Sequence, residues 1–352
     1  MKPKHKILIF TEKKMETHIR LGHGSGGLLT EELIKSIFVK HFSNDHLQAL
    51  ADSSILQTAG YNIAFTTDSY VVDPLFFMGG NIGKLAVCGT VNDLAVSGAK
   101  PLYLSSSFII EEGLPISVLE EVVKTMAEEA RKAGVMIVTG DTKVVDKGKC
   151  DKLFINTSGV GIIDKEAKNL SSCLRIKVGD NIIINGSIAD HGMAVLVARN
   201  DLKIEANIMS DSACLHKMIS AAMLAAPAGI HFMRDVTRGG LATVAAECAK
   251  STGLGIALYE EHIPISDTTR GICEILGFDP LYVANEGKVL MIVSDDSTQA
   301  VLNALKSTEE GREAAVIGKV KEDNKGRVVL HTISGGSRIV DMLAGEQLPR
   351  IC

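Results

Sequence analysis

Apolar positions recur along this chain with two different periods, and the switches between them mark out its elements. Residues 28–42 carry Leu29, Leu33, Ile34, Ile37 and Phe38 at helical spacing, which predicts an amphipathic helix. Residues 62–72, 102–110, 135–139 and 153–163 read as strands. Residues 81–97 predict a helix made almost wholly of small or apolar residues, with Asn92 and Asp93 in its middle. Residues 117–133 predict another, with Leu119, Val122, Val123, Met126 and Ala130 on one face, acids and Lys124 on the other, and Gly134 to stop it. The strand at 135–139 is expected to deliver Gly140-Asp141-Thr142-Lys143 in a turn. Composition becomes polar over 164–177, which places a linker there. Beyond it, residues 180–185, 255–259, 288–293 and 314–320 predict strands. Residues 191–199, 210–224 and 297–306 predict helices, and Arg234 to Gly240 opens one that runs to Lys250.

Both halves mix strands and helices without strict βαβ alternation, so the expected class is α+β. At 352 residues the chain exceeds what one hydrophobic core usually supports, and two domains are expected. The boundaries fall at 1–50 for an extension, glycine-rich loop and helix, 51–165 and 175–344 for two α+β domains, and 345–352 for a mobile tail.

Charge and cysteine usage narrow the function. A net charge of -5, from 37 basic and 42 acidic side chains, leaves no basic footprint for nucleic acid or an anionic membrane. The most apolar stretches, such as 219–230 with Ser220 and Pro227, fall short of the roughly 20 apolar residues of a spanning helix. Lys2, Lys4 and Lys6 precede an apolar run of residues 7–10 alone, too short for a signal-peptide core, so export is not expected. Met15 offers an alternative start. Seven cysteines without a C-x-x-C pair fit free thiols in a reducing cytoplasm, and no histidine spacing indicates zinc.

Candidate chemistry lies in five aspartates and the final residue. Asp68, Asp73, Asp93, Asp141 and Asp235 stand beside apolar or small residues near predicted element ends, a set that suits a magnesium nucleotide. Each alone also fits a cap or turn. The loop His23-Gly24-Ser25-Gly26-Gly27 allows close backbone approach to phosphate, or is a flexible turn. Lys143 could pair with phosphate or with Asp141, and Glu286 could be a general base or a hairpin residue. Cys352 ends an eight-residue tail from Gly345 that reaches roughly 26 Å at about 3.3 Å per residue. Its thiol, with an ordinary pKa of about 8.5, is pushed up by the adjacent α-carboxylate and down by Arg350.

Taken together, residues 23–27, 67–77, 79–84, 92–99, 140–144, 235–240 and 285–288, with the Pro349-Arg350-Ile351-Cys352 ending, resemble the HypE family of nickel-iron hydrogenase maturation proteins. That resemblance runs from about Leu21 to the last residue and implies the aminoimidazole ribonucleotide synthetase superfamily. Such proteins have two α+β domains, dimerise through their N-terminal sheets and bind ATP in a cleft. The implied reaction is an ATP-dependent dehydration. A carbamoyl group placed on Cys352 by HypF is phosphorylated on oxygen and loses phosphate, leaving a thiocyanate that supplies cyanide to iron on HypC and HypD. By motif, Asp68, Asp93, Asp141 and Asp235 would hold Mg2+ and phosphates beside Gly24, Ser25, Gly26 and Gly27. Lys143 and Glu286 would manage protons and charge, and Cys352 would carry the carboxamide. Selenophosphate synthetases share the fold, but their glycine loop carries a reactive cysteine or selenocysteine and a lysine, which residues 23–27 lack. A nucleotide-sensing scaffold would keep the aspartates and have no need of Cys352.

Overall fold

The computed structural model describes residues 18–42, 44–47, 50–58, 60–163, 170–199, 204–345, 348 and 350–352. The extension before His18, residues 164–169 of the expected linker and Pro349 lie outside the described residues.

A 3₁₀ turn, Leu21–Gly24, leads into α1 (Leu28–Leu33), which passes through a π-helical stretch, Ile34–Val39, into α2 (Lys40–Phe42). The single helix expected over 28–42 is thus wound differently in its middle, and its Ile37, Phe38 and Phe42 stay exposed. Next come β1 (Ser54–Gln57), β2 (Asn62–Tyr70), β3 (Phe76–Phe77), β4 (Gly80–Asn81) and α3 (Ile82–Val96). They are followed by β5 (Lys100–Glu111), α4 (Ile116–Ala133), β6 (Met136–Val145) and β7 (Leu153–Ile163). Five strands form one sheet in the order β1-β2-β7-β5-β6, antiparallel except for the β5/β6 pair.

The helix α3 is the axis of this half. Asn81 caps it, its side chain accepting from the N–H groups of Gly83 and Lys84, and every residue of the helix except Lys84 and Asp93 is buried. Small residues permit that burial: a Cβ on Gly89 would meet the Tyr70 hydroxyl at 2.3 Å. Residues 140–143 do not form the expected turn. They continue β6, in parallel register with Ser106 to Ile109. Gly140 is there because a Cβ would meet the Ser106 carbonyl oxygen at 2.0 Å, a demand of strand contact rather than of a turn.

The second half contains β8 (Asn181–Ile184), α5 (Asp190–Ala198), α6 (His216–Ala225), β9 (Ile230–Asp235), α7 (Gly240–Thr252) and β10 (Gly255–Tyr259). It ends with α8 (Asp267–Leu276), β11 (Val289–Val293), α9 (Thr298–Lys306), β12 (Ala315–Lys321), β13 (Val328–His331) and β14 (Ser337–Val340). Seven strands form the sheet β14-β13-β10-β12-β8-β11-β9. The helix expected from residue 210 begins only at His216, and residues 210–215 run irregularly against α3, where Asn92 holds Ala213 and Leu215 by side-chain hydrogen bonds. The halves share apolar cores: Ala95 and Val96 of α3 pack with α6 and α9, while Val195, Ala284 and Ile351 pack with the first half.

Candidate active site

Four elements aim carboxyl groups at one region. Asp68 lies on the helix-facing row of β2, Asp93 is the acid on buried α3, Asp235 ends β9, and Glu286 precedes β11. Thr66 donates to Asp93 at 2.7 Å. Burial pushes the Asp93 carboxyl well above its ordinary range, and Asp235, Asp68 and Asp52 push it further. Asp235 is raised by burial, Asp52 and Asp68 against the pull of Arg234, and Glu286 by burial, Asp68, Asp235 and Asp211 against Arg238. Asp52, which the sequence reading passes over, joins this set through a 3.3 Å contact with Arg234 Nε.

Mutually repelling buried acids favour a cation. Among the described residues, no three acid, imidazole or thiol groups already stand as a coordination set. That donor chemistry suits magnesium, which usually takes one or two carboxylates and completes its shell with phosphate oxygens and water.

The tail occupies the cleft beside these acids. Val71 N–H donates to the Cys352 main-chain oxygen and Asp73 N–H to the Arg350 carbonyl, both at 3.2 Å, so the tail lies antiparallel beside the residues after β2. His191, fully buried on α5, contacts the Ile351 carbonyl at 2.9 Å through Nε2 and Ser210 at 2.8 Å through Nδ1. Arg199 donates to the carbonyls of Asp73 and Arg350, each at 2.8 Å. Ile351, 3% exposed, is the apolar anchor. Asp73 therefore serves the tail: it lies 4.0 Å from the Arg350 guanidinium, which also pairs with Asp151, and 3.6 Å from Lys152.

This docking sets Cys352 in a cavity of about 180 Å³ that Arg238, Val71 and Ser25 help to line. Burial pushes its thiol well up, Arg238 pulls it down, and Glu286 and Asp68 push it up, Glu286 also by a hydrogen bond. The cation facing the thiol is therefore Arg238, not Arg350 as the sequence suggested. Glu286 is itself held in place: Asp211 accepts its N–H at 3.0 Å, and Lys288 pairs with Asp211 at 2.9 Å in a nearly buried ion pair.

Of the other expected site residues, Gly24 and Ser25 line the Cys352 cavity. Ser25 donates to the carbonyls of Gly22 and Gly345, Gly26 N–H donates to Thr30, and Arg238 donates to Gly24. A Cβ on Gly27 would strike the Leu343 carbonyl oxygen at 2.1 Å and one on Gly26 the Arg238 carbonyl oxygen at 2.8 Å, so these two glycines permit close backbone packing, whereas Gly24 has open space beside it. Asp141 and Lys143 are not brought to Cys352 within one chain. They pair with each other at 2.6 Å, both largely exposed, and Lys143 holds the Asp141 carboxyl below its usual range. The row Asp68, Thr157, Ser106, Gly140 crosses the sheet in register, which turns Asp141 to the opposite face, three strands or roughly 14 Å away at about 4.8 Å per strand. Arg238, His191, Arg199 and Asp52 are residues of this region not singled out from sequence. Arg238 had a signal in Asp235-Val236-Thr237-Arg238-Gly239-Gly240, whereas His191 and Arg199 act only through the folded tail.

Residues 50–163 match the N-terminal domain of AIR synthase related proteins and residues 177–331 their C-terminal domain. The carbamoyl dehydratase HypE of Rhodobacter capsulatus is 47% identical over 339 residues, which is 96% of this chain and 99% of that relative. Among solved structures, a HypE-HypF complex superposes with a TM-score of 0.82 at 47% identity, covering 88% of this chain and 99% of that one. The hydrogenase maturation protein HypE in complex with ATP gives 0.79 at 45% identity, covering 95% and 100%. With near-complete coverage at this identity, the chain belongs to the HypE carbamoyl dehydratase family.

Proposed function

We propose that this protein dehydrates a carbamoyl group carried on its own Cys352, using ATP, and so makes the cyanide precursor for nickel-iron hydrogenase. The observation that carries this reading is the docked thiol, held between Glu286 and Arg238 with Asp68 nearby. In the reaction, the carboxamide oxygen of the S-carbamoyl cysteine takes the γ-phosphoryl group of ATP, and the C–O bond then breaks. Inorganic phosphate leaves with that oxygen, two N–H protons are lost, and a thiocyanate remains on Cys352 with ADP as the other product. An amide oxygen leaves poorly until phosphorylated, so the ATP step is what makes elimination feasible.

Glu286 is the proposed proton acceptor, since it touches the sulfur and its raised carboxyl exchanges protons nearer neutrality than an ordinary glutamate. Arg238 faces the same atoms and would stabilise negative charge growing on the phosphorylated oxygen. Asp68, Asp93 and Asp235 would hold magnesium, which supplies charge neutralisation for the triphosphate when bound. The backbone contacts of Val71, Asp73, His191 and Arg199 fix the tail so that the reacting carbon meets these groups, a positioning effect of several kcal/mol in well-oriented systems, about 7–11 at its largest.

A HypF homologue is the proposed carbamoyl donor, HypC and HypD the proposed acceptors, and the cytoplasm the compartment, where a thiol carrier stays reduced. A homodimer is also proposed. The open face of the first sheet carries a cross-strand row of Phe65, Val160, Tyr103 and Met136, three of them strongly exposed. Covering that row with a second copy buries apolar surface and places Asp141 and Lys143 at the interface, where they could serve phosphate or proton handling in the assembled dimer. The test is incubation with HypF, carbamoyl phosphate and ATP, followed by peptide mapping. Cys352 should carry the adduct, and Cys352→Ala should carry none while still binding ATP. An adduct retained by Cys352→Ala would overturn the reading.

A further inference from the structure

We propose that Cys173 and Cys248 form a peroxide-reactive thiol pair, in which Cys173 is oxidised first and Cys248 resolves it to a disulfide. The two sulfurs lie 3.9 Å apart although the residues are 75 positions apart in sequence. An S–S bond of about 2.05 Å requires them to close by roughly 1.9 Å, within the compass of side-chain rotation. Cys173 begins a 3₁₀ turn, Cys173–Arg175, in the segment where the two halves of the chain join, and Cys248 sits on α7.

Their surroundings assign different roles. Cys173 is half-buried and open to a small oxidant, whereas Cys248 is 1% exposed. The contact with Cys248, then the charge of Arg234, pulls the Cys173 thiol down to about 7 against the opposing effect of burial. Burial and the same contact push Cys248 well up. Arg234 stays beside the sulfur because Asp52 and Glu247 hold its guanidinium, at 3.3 and 2.5 Å.

The chemistry closes. The Cys173 thiolate attacks one oxygen of hydrogen peroxide, the O–O bond breaks, and a sulfenic acid forms as hydroxide leaves and takes up a proton as water. The Cys248 sulfur then attacks the sulfenic sulfur, the S–O bond breaks, and the departing hydroxide takes the Cys248 proton. In sum, two thiols lose two electrons and two protons, and peroxide becomes two waters. A dithiol reductant reverses the bond by exchange. The product would tie the domain junction to α7.

A second close pair provides the control. Cys88 and Cys214 lie 3.3 Å apart, nearer than the first pair, yet contact with Cys214 and burial push the Cys88 thiol well up. The full-length reduced protein should be treated with one equivalent of hydrogen peroxide, alkylated, digested without reductant and mapped by mass spectrometry. The expected result is a linked peptide joining Cys173 to Cys248, cleaved by dithiothreitol, with Cys88 and Cys214 recovered as alkylated thiols. In Cys248→Ser, whose hydroxyl keeps a donor beside Cys173 but cannot resolve it, the Cys173 sulfenic acid should persist and be trapped by dimedone. Recovery of Cys173 and Cys248 as thiols, or a Cys88–Cys214 link forming first, would overturn the proposal. The wild-type map stands even if the variant fails to fold.

Discussion

Replacing Ile351 with alanine should free the tail while sparing the fold. Ile351 is 3% exposed and shares an apolar cluster with Val72, Val195 and Ala284, but it belongs to no helix or strand. The substitution removes three carbon groups, each worth about 0.8 kcal/mol, so about 2.4 kcal/mol of burial is lost before any cavity is counted. That energy belongs to the docking equilibrium, and at about 1.4 kcal/mol per tenfold it lowers the docked-to-free ratio roughly 50-fold. The backbone bonds to Val71, Asp73 and His191 remain available, so docking is weakened and not abolished. A bulky disulfide reagent, with modification mapped to Cys352 by mass, reads the free population directly. Its rate at Cys352 should rise by one to two orders of magnitude, because the docked thiol is both shielded and pushed up in pKa by burial. The thermal midpoint should scarcely move. Wild-type labelling of Cys352 in the folded variant would refute the anchor assignment.

Three further outcomes are expected. Glu286→Gln keeps size and hydrogen bonding but removes a base typically worth about 10²- to 10⁴-fold, so single-turnover dehydration should slow by that range, and its rise with pH should flatten, while ATP binding persists; wild-type rates would remove Glu286 from the chemistry. Asp93→Asn should weaken magnesium-ATP in calorimetric titration and, without cation, should stabilise the protein at pH 8 relative to pH 5. The sign follows because a carboxyl raised in the folded state gives up its contribution as pH climbs through that raised value, so the wild type loses more midpoint over this interval; an equal loss in both proteins would contradict the cluster. Tyr103→Glu should turn the proposed dimer into monomer in sedimentation, because it places a charge in the centre of the exposed apolar row; a wild-type monomer, or an unchanged dimer in the variant, would refute this interface.

Much of the fold was legible where one period dominates. The strand at 153–163 and the amphipathic helix ending at Gly134 fall where their patterns put them, because each has one buried face and one open one. Legibility failed where tertiary contact overrides local signal. Gly140-Asp141-Thr142-Lys143 has turn composition but lies in an edge strand, its glycine imposed by Ser106. The strand β9 is short and ends on a charged pair, and α8, although amphipathic and capped by Ser266, spans only ten residues. The acids Asp68, Asp93 and Asp235 were readable because charge among apolar residues is conspicuous. Asp52 has no such setting, Asp73 was legible as an acid but not as a tail partner, and the opposite orientation of Asp141 depends on strand register that local composition does not specify.

The central claim is that Cys352 is the carrier on which ATP-driven dehydration occurs. Intact mass followed over time, with HypF and carbamoyl phosphate present and ATP added last, tests it most directly. The account predicts a gain of one carbamoyl group before ATP is added to the dehydratase step, then the loss of one water on ATP addition, with both changes mapping to the final residue. A carbamoyl adduct on Cys88, Cys150, Cys173, Cys214, Cys248 or Cys273, or water loss without ATP, would contradict it.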